Sequence, residues 1–325
     1  MILDRRGTID KINEFASKRK PFLFVIDFGG TRGIVMFPEE AAKAKIFFNI
    51  RGKKNYRERP IKASPIAFEP LPVSKMRYEE AFAKVMHHLK RGDTYLINLT
   101  FQTQIKTDLS LNTLFHQSEA PFKLLFKDQF VVFSPETFVE IRENRIYSFP
   151  MKGTIDAAIP KAREKILGDK KELYEHTTIV DLIRNDLSMV ATNIEVKRFR
   201  YIDRIRTNRN ELLQVSSEIC GTLEKNFRRK LGNIIFTLLP AGSVTGAPKE
   251  KTVSIIRETE DYQRGFYTGI FGYWDGRSLQ SAVMIRFVEK EKGKMFFKSG
   301  GGITAKSNPG FEYNELIQKI YVPVL

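Results

Sequence analysis

The stretch "TFVEIRENRIYSFPMKGT" (residues 137–154) contains two strand-like runs separated by Glu143 and Asn144, and then a bend at Pro150. Asparagine is favoured in tight turns between strands, so the first part of the stretch predicts two antiparallel neighbours. Antiparallel strands can follow each other directly, whereas parallel strands need a long crossover. The stretch therefore favours an antiparallel sheet.

Outward from this stretch, strand-like runs cluster instead of alternating with helices. Further strands are predicted at 22–28, 33–37, 45–50, 94–105, 122–126, 129–134, 266–275, 278–289 and 293–299. Helical periodicity predicts helices at 78–90, 161–190, 249–260 and 311–321. Grouped strands are typical of an α+β fold with large antiparallel sheets. We expect a short β-rich segment at 1–72 packed on a main unit at 73–325.

The chain has 325 residues, of which 42% are hydrophobic, and a net charge of +16. Basic residues gather at 51–62, 197–209 and 225–230. Such runs can bind nucleic acid through its phosphates, and a basic nucleic-acid-binding protein is one alternative. No helix-turn-helix, RNA-recognition or zinc-finger pattern accompanies the charge, so solvated surfaces that attract anionic metabolites explain it better. We expect no nucleic-acid partner.

The single cysteine, Cys220, excludes an internal disulfide and fits a reducing compartment. The N-terminal sequence has no signal-peptide pattern. The longest apolar runs are the size of strands and far shorter than a membrane span. These features predict a cytoplasmic protein without a membrane partner.

Lys152 lies on a constrained bend, because Pro150 precedes it and Gly153 follows it. Proline fixes one backbone angle and glycine frees another. A solvated surface lysine rarely needs such framing. The bend therefore raises the alternative of a positioned amine.

Two acidic pairs share one spacing. Glu172 and Glu175 are three residues apart, as are Glu312 and Glu315, and both pairs fall in predicted helices. This spacing places two carboxylates on one helix face. Four carboxylates on two helices could hold Mg²⁺ through oxygen ligands. Solvated helix faces remain the alternative, in which Glu315 simply pairs with a lysine one turn later.

Three successive glycines, Gly300 to Gly302, end a predicted strand, and their N–H groups could form a nest-like anion cradle or a tight turn. The segment 241–251 lacks a phosphate-loop ending and predicts a turn that leads into a helix. "DFGGTRG" (27–33) has the wrong spacing for a dinucleotide fingerprint and predicts a hairpin turn. No histidine cluster or serine-nucleophile elbow is present, which argues against zinc or serine hydrolase chemistry.

Taken together, these pieces resemble the chorismate-utilising enzymes, which include the anthranilate, aminodeoxychorismate, isochorismate and salicylate synthases. Nine motifs carry the resemblance, in order: "GDTYLINLT" (92–100), "SPETF" (134–138), "PMKGT" (150–154), "EHTTIVDLIRNDL" (175–187), "GSVTGAPK" (242–249), "RGFYTGIFGY" (264–273), "AVMIRF" (282–287), "SGGGITAKS" (299–307) and "EYNE" (312–315). Each motif alone is weak, but the ordered set is specific. The resemblance implies a sandwich of two large antiparallel sheets with outer helices.

The resemblance also implies roles for residues. Most relatives have alanine at the position of Lys152, whereas aminodeoxychorismate synthases have lysine there. Lys152 is then the nucleophile that attacks C2 of chorismate, and Glu136 is the acid that protonates the departing C4 hydroxyl. A lysine attacks only as the neutral amine, so burial or a nearby cation must lower its pKa.

For the other positions, the resemblance implies Mg²⁺ held by Glu175 and Glu315, with Glu172 and Glu312 as outer partners. The implied substrate-binding residues are Gly153, Thr154, Ser243, Tyr267, Arg286, Gly300, Gly302 and Lys319. Arginine suits two-point binding of a carboxylate, which fits Arg286.

Two positions depart from the family pattern. Gln214 replaces a usual histidine, and Leu96 replaces the lysine of water-activating relatives. The second departure argues against isochorismate or salicylate chemistry. We therefore expect an aminodeoxychorismate synthase reaction on chorismate and ammonia, with anthranilate synthase component I as the alternative. The sequence shows no glutaminase motif, so we expect a glutamine amidotransferase partner to supply the ammonia.

Overall fold

A computed structural model describes residues 2–57, 68–206 and 211–322. In this part of the chain the strands are Leu3–Asp4 (β1), Phe22–Ile26 (β2), Arg32–Met36 (β3), Ile46–Ile50 (β4), Lys53–Lys54 (β5), Glu69–Leu71 (β6), Leu96–Lys106 (β7), Phe122–Phe126 (β8), Phe130–Ser134 (β9), Thr137–Arg142 (β10), Arg145–Ser148 (β11), Met151–Asp156 (β12), Thr192–Arg206 (β13), Glu211–Thr222 (β14), Gly246–Ala247 (β15), Ile270–Trp274 (β16), Leu279–Val283 (β17), Phe287–Glu291 (β18) and Lys294–Ile303 (β19). The α-helices are Arg5–Ser17 (α1), Pro38–Lys43 (α2), Lys75–Arg91 (α3), Leu111–Gln117 (α4), Ala162–Gly168 (α5), Lys170–Ser188 (α6), Leu231–Thr237 (α7), Lys249–Thr259 (α8) and Pro309–Gln318 (α9).

The strands form two antiparallel sheets, which confirms the predicted fold class. The ten-stranded sheet has the order β1-β3-β2-β16-β17-β10-β11-β14-β12, and β13 pairs with β14. The nine-stranded sheet has the order β15-β7-β19-β18-β9-β8-β4-β5, and β6 pairs with β7. The predicted hairpin forms between β10 and β11, where Glu143 and Asn144 adopt φ of 50° and 60°. This left-handed pair matches the twist of the strands it joins.

Side chains of successive strand residues point to opposite faces, and on β2 both faces are apolar. Leu23 and Val25 pack between the two sheets, together with Phe287 of the nine-stranded sheet. Phe22 and Phe24 face the opposite way, toward α1 and α7. An apolar residue at every position of β2 is therefore explained by burial on both faces.

Helices cover the outer faces of the sandwich. Helices α1, α6 and α7 pack on the ten-stranded sheet, and α3, α8 and α9 pack on the nine-stranded sheet. Helix α3 begins at the N-cap Ser74, whose side chain accepts a hydrogen bond from Arg77 N. It ends at Gly92, whose φ of 78° is left-handed. The predicted helix at 78–90 is thus confirmed and extended at both ends.

The single helix predicted at 161–190 is wrong, because the structure divides it into α5 and α6. Asp169 has an extended backbone with φ of −67° and ψ of 116°, and its side chain accepts a hydrogen bond from Glu172 N. A side-chain cap of this kind begins a new helix. The cap fixes where the first acidic pair sits on α6.

The single strand predicted at 278–289 is also wrong. Its first half is β17 in the ten-stranded sheet and its second half is β18 in the nine-stranded sheet, so the chain changes sheets between Val283 and Phe287. The β9–β10 connector crosses in the opposite direction, between Ser134 and Thr137. These two crossings bring polar residues into the gap between the sheets.

The two longest strands, β13 with 15 residues and β14 with 12, were missing from the prediction. The run "KRFRYIDRIR" (197–206) reads as a basic loop because charged residues occupy many of its positions. Strand pairing with β14 overrides that local composition.

The N-terminal strands belong to both sheets, since β2 pairs with β16 and β4 pairs with β8. The division at residue 73 stays a prediction. No α-helix in the described ranges is long and apolar enough to span a membrane.

Candidate active site

The candidate site lies where the chain crosses between the sheets. Glu136 is on the β9–β10 crossing, and Arg286 is on the β17–β18 crossing. Strand β12 brings Lys152 from the ten-stranded sheet, and β19 brings Gly300 and Gly302 from the nine-stranded sheet. Four distant motifs thus contribute to one region.

Lys152 is ion-paired and largely buried. Its Nζ lies 2.8 Å from Glu175 Oε2, and its side chain is 28% exposed. Burial lowers the pKa of Lys152, but the Glu175 carboxylate and then Glu315 and Glu172 outweigh burial, and the net pKa is raised. In this arrangement the amine is therefore protonated, contrary to the lowered pKa that nucleophilic attack requires. The ion pair with Glu175 has to be broken before Lys152 can attack.

Gly153 follows Lys152 in β12 and packs against Glu172 of the first acidic pair. Its φ of +79° lies in the left-handed region, and a Cβ added there would sit 2.9 Å from Glu172 Oε2. Both facts explain why glycine is needed after the lysine. The next residue, Thr154, is exposed on β12, where its hydroxyl accepts a hydrogen bond from Gln214 Nε2 at 3.4 Å.

Glu136 is held by the turn before β15. The hydroxyl of Ser243 donates a short hydrogen bond to Glu136 Oε1. Burial raises the pKa of Glu136, although the Ser243 hydrogen bond and the charges of Lys152 and Lys319 oppose that effect. A raised pKa favours the protonated carboxyl, which is the form that a general acid needs.

The acidic pairs face one another across α6 and α9. Lys171 links them, with its Nζ 3.7 Å from Glu175 Oε1 and 3.3 Å from Glu312 Oε1. Glu175 and Glu312 are buried, whereas Glu315 is half-exposed and pairs with Lys319 at 2.8 Å. Three lysines therefore lie against this cluster of four carboxylates.

The carboxylate oxygens of the acidic pairs are the kind of ligand that a hard cation such as Mg²⁺ prefers. The buried atoms Glu172 Oε2 and Glu175 Oε1 have no hydrogen-bond partner, which leaves carboxylate oxygens available as ligands. Within the described ranges, no three acidic, histidine or cysteine side chains converge on one point as metal ligands do. Lys152 and Lys171 stand among the carboxylates, so a bound cation would have to displace these two ammonium groups.

The nest predicted for Gly300 to Gly302 is wrong, because all three glycines lie in β19 and none has a positive φ. Gly300 faces Thr100 and Gly302 faces Asn98 on β7. The amides of Thr100 and Asn98 donate elsewhere, to Glu260 and to the Thr245 carbonyl.

Gly300–Thr100 and Gly302–Asn98 are therefore non-hydrogen-bonded pairs of the β7–β19 ladder. The N–H groups of Gly300 and Gly302 point away from β7. On that open side Lys319 Nζ donates to the Gly300 carbonyl at 3.1 Å. A Cβ added to Gly302 would lie 3.6 Å from Lys152 Nζ and 3.3 Å from Leu96 Cδ1. The strand edge thus offers two aligned N–H groups beside Lys152.

Tyr267 and Arg286 lie on neighbouring segments. Tyr267 is 2% exposed and packs edge-on against Phe287, with ring centres 5.8 Å apart. Arg286 stacks on Tyr321 at 4.5 Å and has φ of 50°. A non-glycine residue with positive φ is strained, and such strain occurs at binding sites. The structure shows no direct contact between these two residues and Lys152.

Sequence reasoning missed two residues of this region. Lys171 joins the acidic pairs, and the i,i+4 spacing to Glu175 was the available signal. His176 is fully buried, and its Nε2 lies 2.7 Å from Ser217 Oγ. Burial, with the charges of Arg200 and Lys152, lowers the pKa of His176 to about 4, so it is neutral at pH 7. Its burial next to Glu175 could not be read from an isolated histidine.

In this α+β sandwich one sheet crossing places Glu136 near Lys152, and helices α6 and α9 place the two acidic pairs beside that lysine. The other crossing carries Arg286 on a neighbouring segment. Such a set of charged side chains is typical of an enzyme for a small anionic substrate. The family model described as chorismate binding enzyme matches residues 37–324. The chain belongs to this family.

Named relatives differ in specificity. An uncharacterized PabA-like protein of Haemophilus influenzae is 50% identical over 97% of this chain and 96% of its own length. Anthranilate synthase component 1 of Archaeoglobus fulgidus is 31% identical over 76% of this chain and 61% of its own length. Aminodeoxychorismate synthase component 1 of Bacillus subtilis is 27% identical over 77% of this chain and 55% of its own length.

A Bacillus anthracis crystal structure, described as a candidate 2,3-dihydroxybenzoate-specific isochorismate synthase, superimposes with a TM-score of 0.71 at 19% identity. The superposition covers 98% of this chain and 89% of that one. At this identity the likeness supports the fold alone.

Proposed function

We propose that the protein is the synthase component of an aminodeoxychorismate synthase, which converts chorismate and ammonia to 4-amino-4-deoxychorismate. This places it in the cytoplasm, on the route to 4-aminobenzoate and folate. The observation that carries the proposal is the position of Lys152, whose amine lies between the acidic cluster and the Gly302 strand edge. A lysine amine positioned inside a chorismate site can act as a nucleophile, whereas the alanine of other relatives cannot.

The proposed reaction begins with chorismate bound by its carboxylates. Arg286 and Tyr267 hold one carboxylate, and the outward N–H groups of Gly300 and Gly302 donate to the other. Charge-assisted hydrogen bonds of this kind are among the strongest available to a carboxylate. Glu175 and Glu315, with Glu172 and Glu312 nearby, would hold Mg²⁺, which would supply positive charge to the ring carboxylate of chorismate.

Once its pair with Glu175 is broken and its proton is lost to solvent, the neutral amine of Lys152 attacks C2 while Glu136 protonates the hydroxyl that leaves C4. Ser243 holds the Glu136 carboxyl, and burial raises the pKa of that carboxyl, which favours its protonated form. Ammonia adds at C4 and the lysine leaves C2. We propose that the ammonia comes from a glutamine amidotransferase partner, because the sequence contains no glutaminase motif.

The test is an intact-mass measurement on the protein mixed with chorismate and Mg²⁺ but without ammonia. We expect a covalent adduct on Lys152, and no adduct on Lys152→Ala or Lys152→Arg. Arginine keeps the charge but stays protonated, so it cannot attack. Lys171→Met is the matched control, since it removes another ammonium group beside Glu175 and keeps the nucleophile. An active Lys152→Arg variant, with no adduct on the parent, would show that Lys152 is only a cation.

Anthranilate synthase component I is the second candidate, because the 31% identity to the Archaeoglobus fulgidus enzyme favours it. Product analysis separates the two, since anthranilate formation releases pyruvate and amination at C4 does not. We expect 4-amino-4-deoxychorismate from chorismate, ammonium and Mg²⁺. Anthranilate with an equal amount of pyruvate would establish the second candidate.

A further inference from the structure

A narrow cavity borders the proposed general acid. It lies between β10, the bend before β12, α6 and the turn before β15, and its polar lining includes Glu136, Ser243 and Asp186. The space open to the centre of a water-sized sphere is ≈ 20 Å³. A volume of about 10–15 Å³ on this measure is enough for one water molecule. The cavity therefore has room for one very small molecule.

The walls favour a neutral occupant. Most of the lining is apolar and includes Phe138, Val139, Phe149, Ile183, Leu187 and Leu238. Asp186 is already paired with Lys249 Nζ at 2.8 Å, and Glu136 already accepts from Ser243. An ion that entered would lose its hydration without gaining a free counter-charge. A small neutral molecule with a lone pair and N–H or O–H groups loses far less hydration free energy on entering the cavity.

We propose that this cavity is the binding site for ammonia. The inference rests on the proposed function, because chorismate amination needs one small neutral nucleophile near the acid that releases the C4 hydroxyl. The assignment names the cavity beside Glu136, away from the acidic cluster, as the place from which ammonia reaches the substrate.

The proton balance supports this position. Glu136 gives its proton to the C4 hydroxyl, which leaves as water while the Lys152 nitrogen bonds to C2. The ammonia nitrogen then bonds to C4, and the Lys152–C2 bond breaks with its electron pair returning to the lysine amine. The new amine carries one excess proton, and the Glu136 carboxylate takes it back. Ammonia held beside Glu136 is close to that proton acceptor.

The first test fills the cavity with Ala241→Val. Ala241 lines the cavity and is 2% exposed, so two added methyl groups have to occupy the space. We expect the KM for ammonium to rise about tenfold, which is about 1.4 kcal/mol of binding, while the KM for chorismate changes less than twofold. Ala81→Val, in the separate core beneath α3, is the control for added bulk. An unchanged ammonium KM in folded Ala241→Val overturns the proposal.

The second test enlarges the cavity with Val139→Ala and offers methylamine in place of ammonium. We expect an N-methylated product at a rate at least about tenfold above the parent, because a one-molecule cavity excludes the extra methyl group. Val131→Ala, which removes the same groups from the core beside α4, should give no gain. No methylamine product from Val139→Ala, or equal gain in both variants, overturns the assignment.

The parent protein separates this inference from the proposed function. If the parent aminates chorismate at C2 instead of C4, the proposed function fails, and the ammonium KM comparison still decides the cavity assignment. If the parent aminates at C4 and the variants behave like it, only the cavity assignment fails. A parent that aminates at neither carbon overturns both.

Discussion

At the scale of single residues, the ion pair of Glu175 with Lys152 and the proposed role of Glu175 as a cation ligand exclude each other. Its carboxylate pairs with Lys152 at 2.8 Å, and its other oxygen has no hydrogen-bond partner. A carboxylate taken up by a cation would release Lys152 from the group that contributes most to its raised pKa. Binding of a cation and readiness of the amine are therefore linked through one side chain in the proposed reaction.

We expect Glu175→Ala to abolish turnover and to weaken Mg²⁺ binding at least about tenfold, since a hard cation loses an oxygen ligand. Isothermal titration with Mg²⁺ alone measures the binding without relying on activity. Glu164→Ala, on the exposed face of the neighbouring helix α5, is the control. Unchanged Mg²⁺ affinity in Glu175→Ala would contradict the assignment of this residue as a ligand.

Gly153→Ala tests the bend that carries Lys152. Alanine at a φ of +79° is strained by roughly 1–2 kcal/mol, and its methyl group displaces the Glu172 carboxylate. We expect both a lower melting temperature and a loss of activity of at least about tenfold. Gly293→Ala has the same φ of +79° and nothing within 4 Å, so it should lose only the stability that the backbone strain costs and keep activity. Equal activity in the two variants would show that the bend contributes only stability.

Individual residues were predictable where a motif combined residue type and spacing. Lys152 and the two acidic pairs stood out in this way, whereas Glu136 was identified only through the family resemblance, and the structure brings all of them into one region. The Lys171 bridge, the buried His176 and the outward N–H groups of Gly300 and Gly302 could not be predicted. These contacts depend on which strands are neighbours and on their register, and neither can be derived from a single sequence.

At the scale of elements, short polar turns carry much of the local order. The turn between β16 and β17 is built around Asp275, which accepts hydrogen bonds from Arg277 N at 2.9 Å and Ser278 N at 2.7 Å. Lys53 pairs with the same carboxylate from the other sheet. Burial by itself would raise the pKa of Asp275, but the hydrogen bonds from Lys53 and Ser278 outweigh burial and lower it well below its ordinary value.

We expect Asp275→Ala to lower the free energy of unfolding at pH 7 by roughly 1–3 kcal/mol, because two backbone donors lose their acceptor. A lowered pKa in the folded state means that this contribution is present above about pH 4, the ordinary range for Asp, and is lost as the pH falls further. The difference between parent and variant in urea melts should therefore shrink at low pH. Asp128→Ala is the control, because its pair with Lys290 is exposed and should contribute little.

Element boundaries followed local rules where a turn residue was visible, as at Gly92, which ends α3. The N-cap Ser74 was not recognised, and the predicted helix began at residue 78. The predicted boundaries failed where tertiary structure decided the outcome. The break between α5 and α6 depends on one aspartate cap, and the switch between β17 and β18 depends on which sheet receives each half of a single strand-like run. Strands β13 and β14 form a long pair despite a charged sequence.

At the scale of the whole molecule, the N-terminal strands complete both sheets. Leu23, Val25, Ile46 and Phe48 are nearly inaccessible and pack in the core between the sheets. Apolar burial of this kind contributes about 1.5–3 kcal/mol per side chain. A unit that begins at residue 73 would expose the partners of all four residues.

We therefore expect the fragment 73–325 to lack a cooperative thermal transition and to aggregate, although it contains the nine motifs. Far-UV circular dichroism and differential scanning calorimetry would measure this. A fragment that melts cooperatively and binds chorismate would establish 73–325 as an independent domain, with 1–72 as an accessory segment.

Local ion pairs cover part of the positive charge in the basic runs, although the chain as a whole keeps its net charge of +16. In the basic run that forms β13, Arg198 pairs with Glu218 at 3.0 Å and Arg204 pairs with Glu211 at 2.8 Å. In the first basic run, Arg51 pairs with Glu140 at 3.4 Å, and residues 58–62 of that run lie outside the described residues. These pairs leave a general attraction for small anions as the simplest use of the remaining charge.

The two sheet crossings have a kinetic consequence. Glu136 and Arg286 each occupy a connector that leaves one sheet and enters the other, so neither can reach its final place while only one sheet exists. A chain in which only one sheet has formed can contain every hydrogen bond of that sheet and still be inactive. During renaturation from denaturant, the return of turnover would then mark the moment when the two sheets meet, later than the return of strand signal by circular dichroism. Recovery of turnover would therefore report the last step of assembly, the packing of the two sheets.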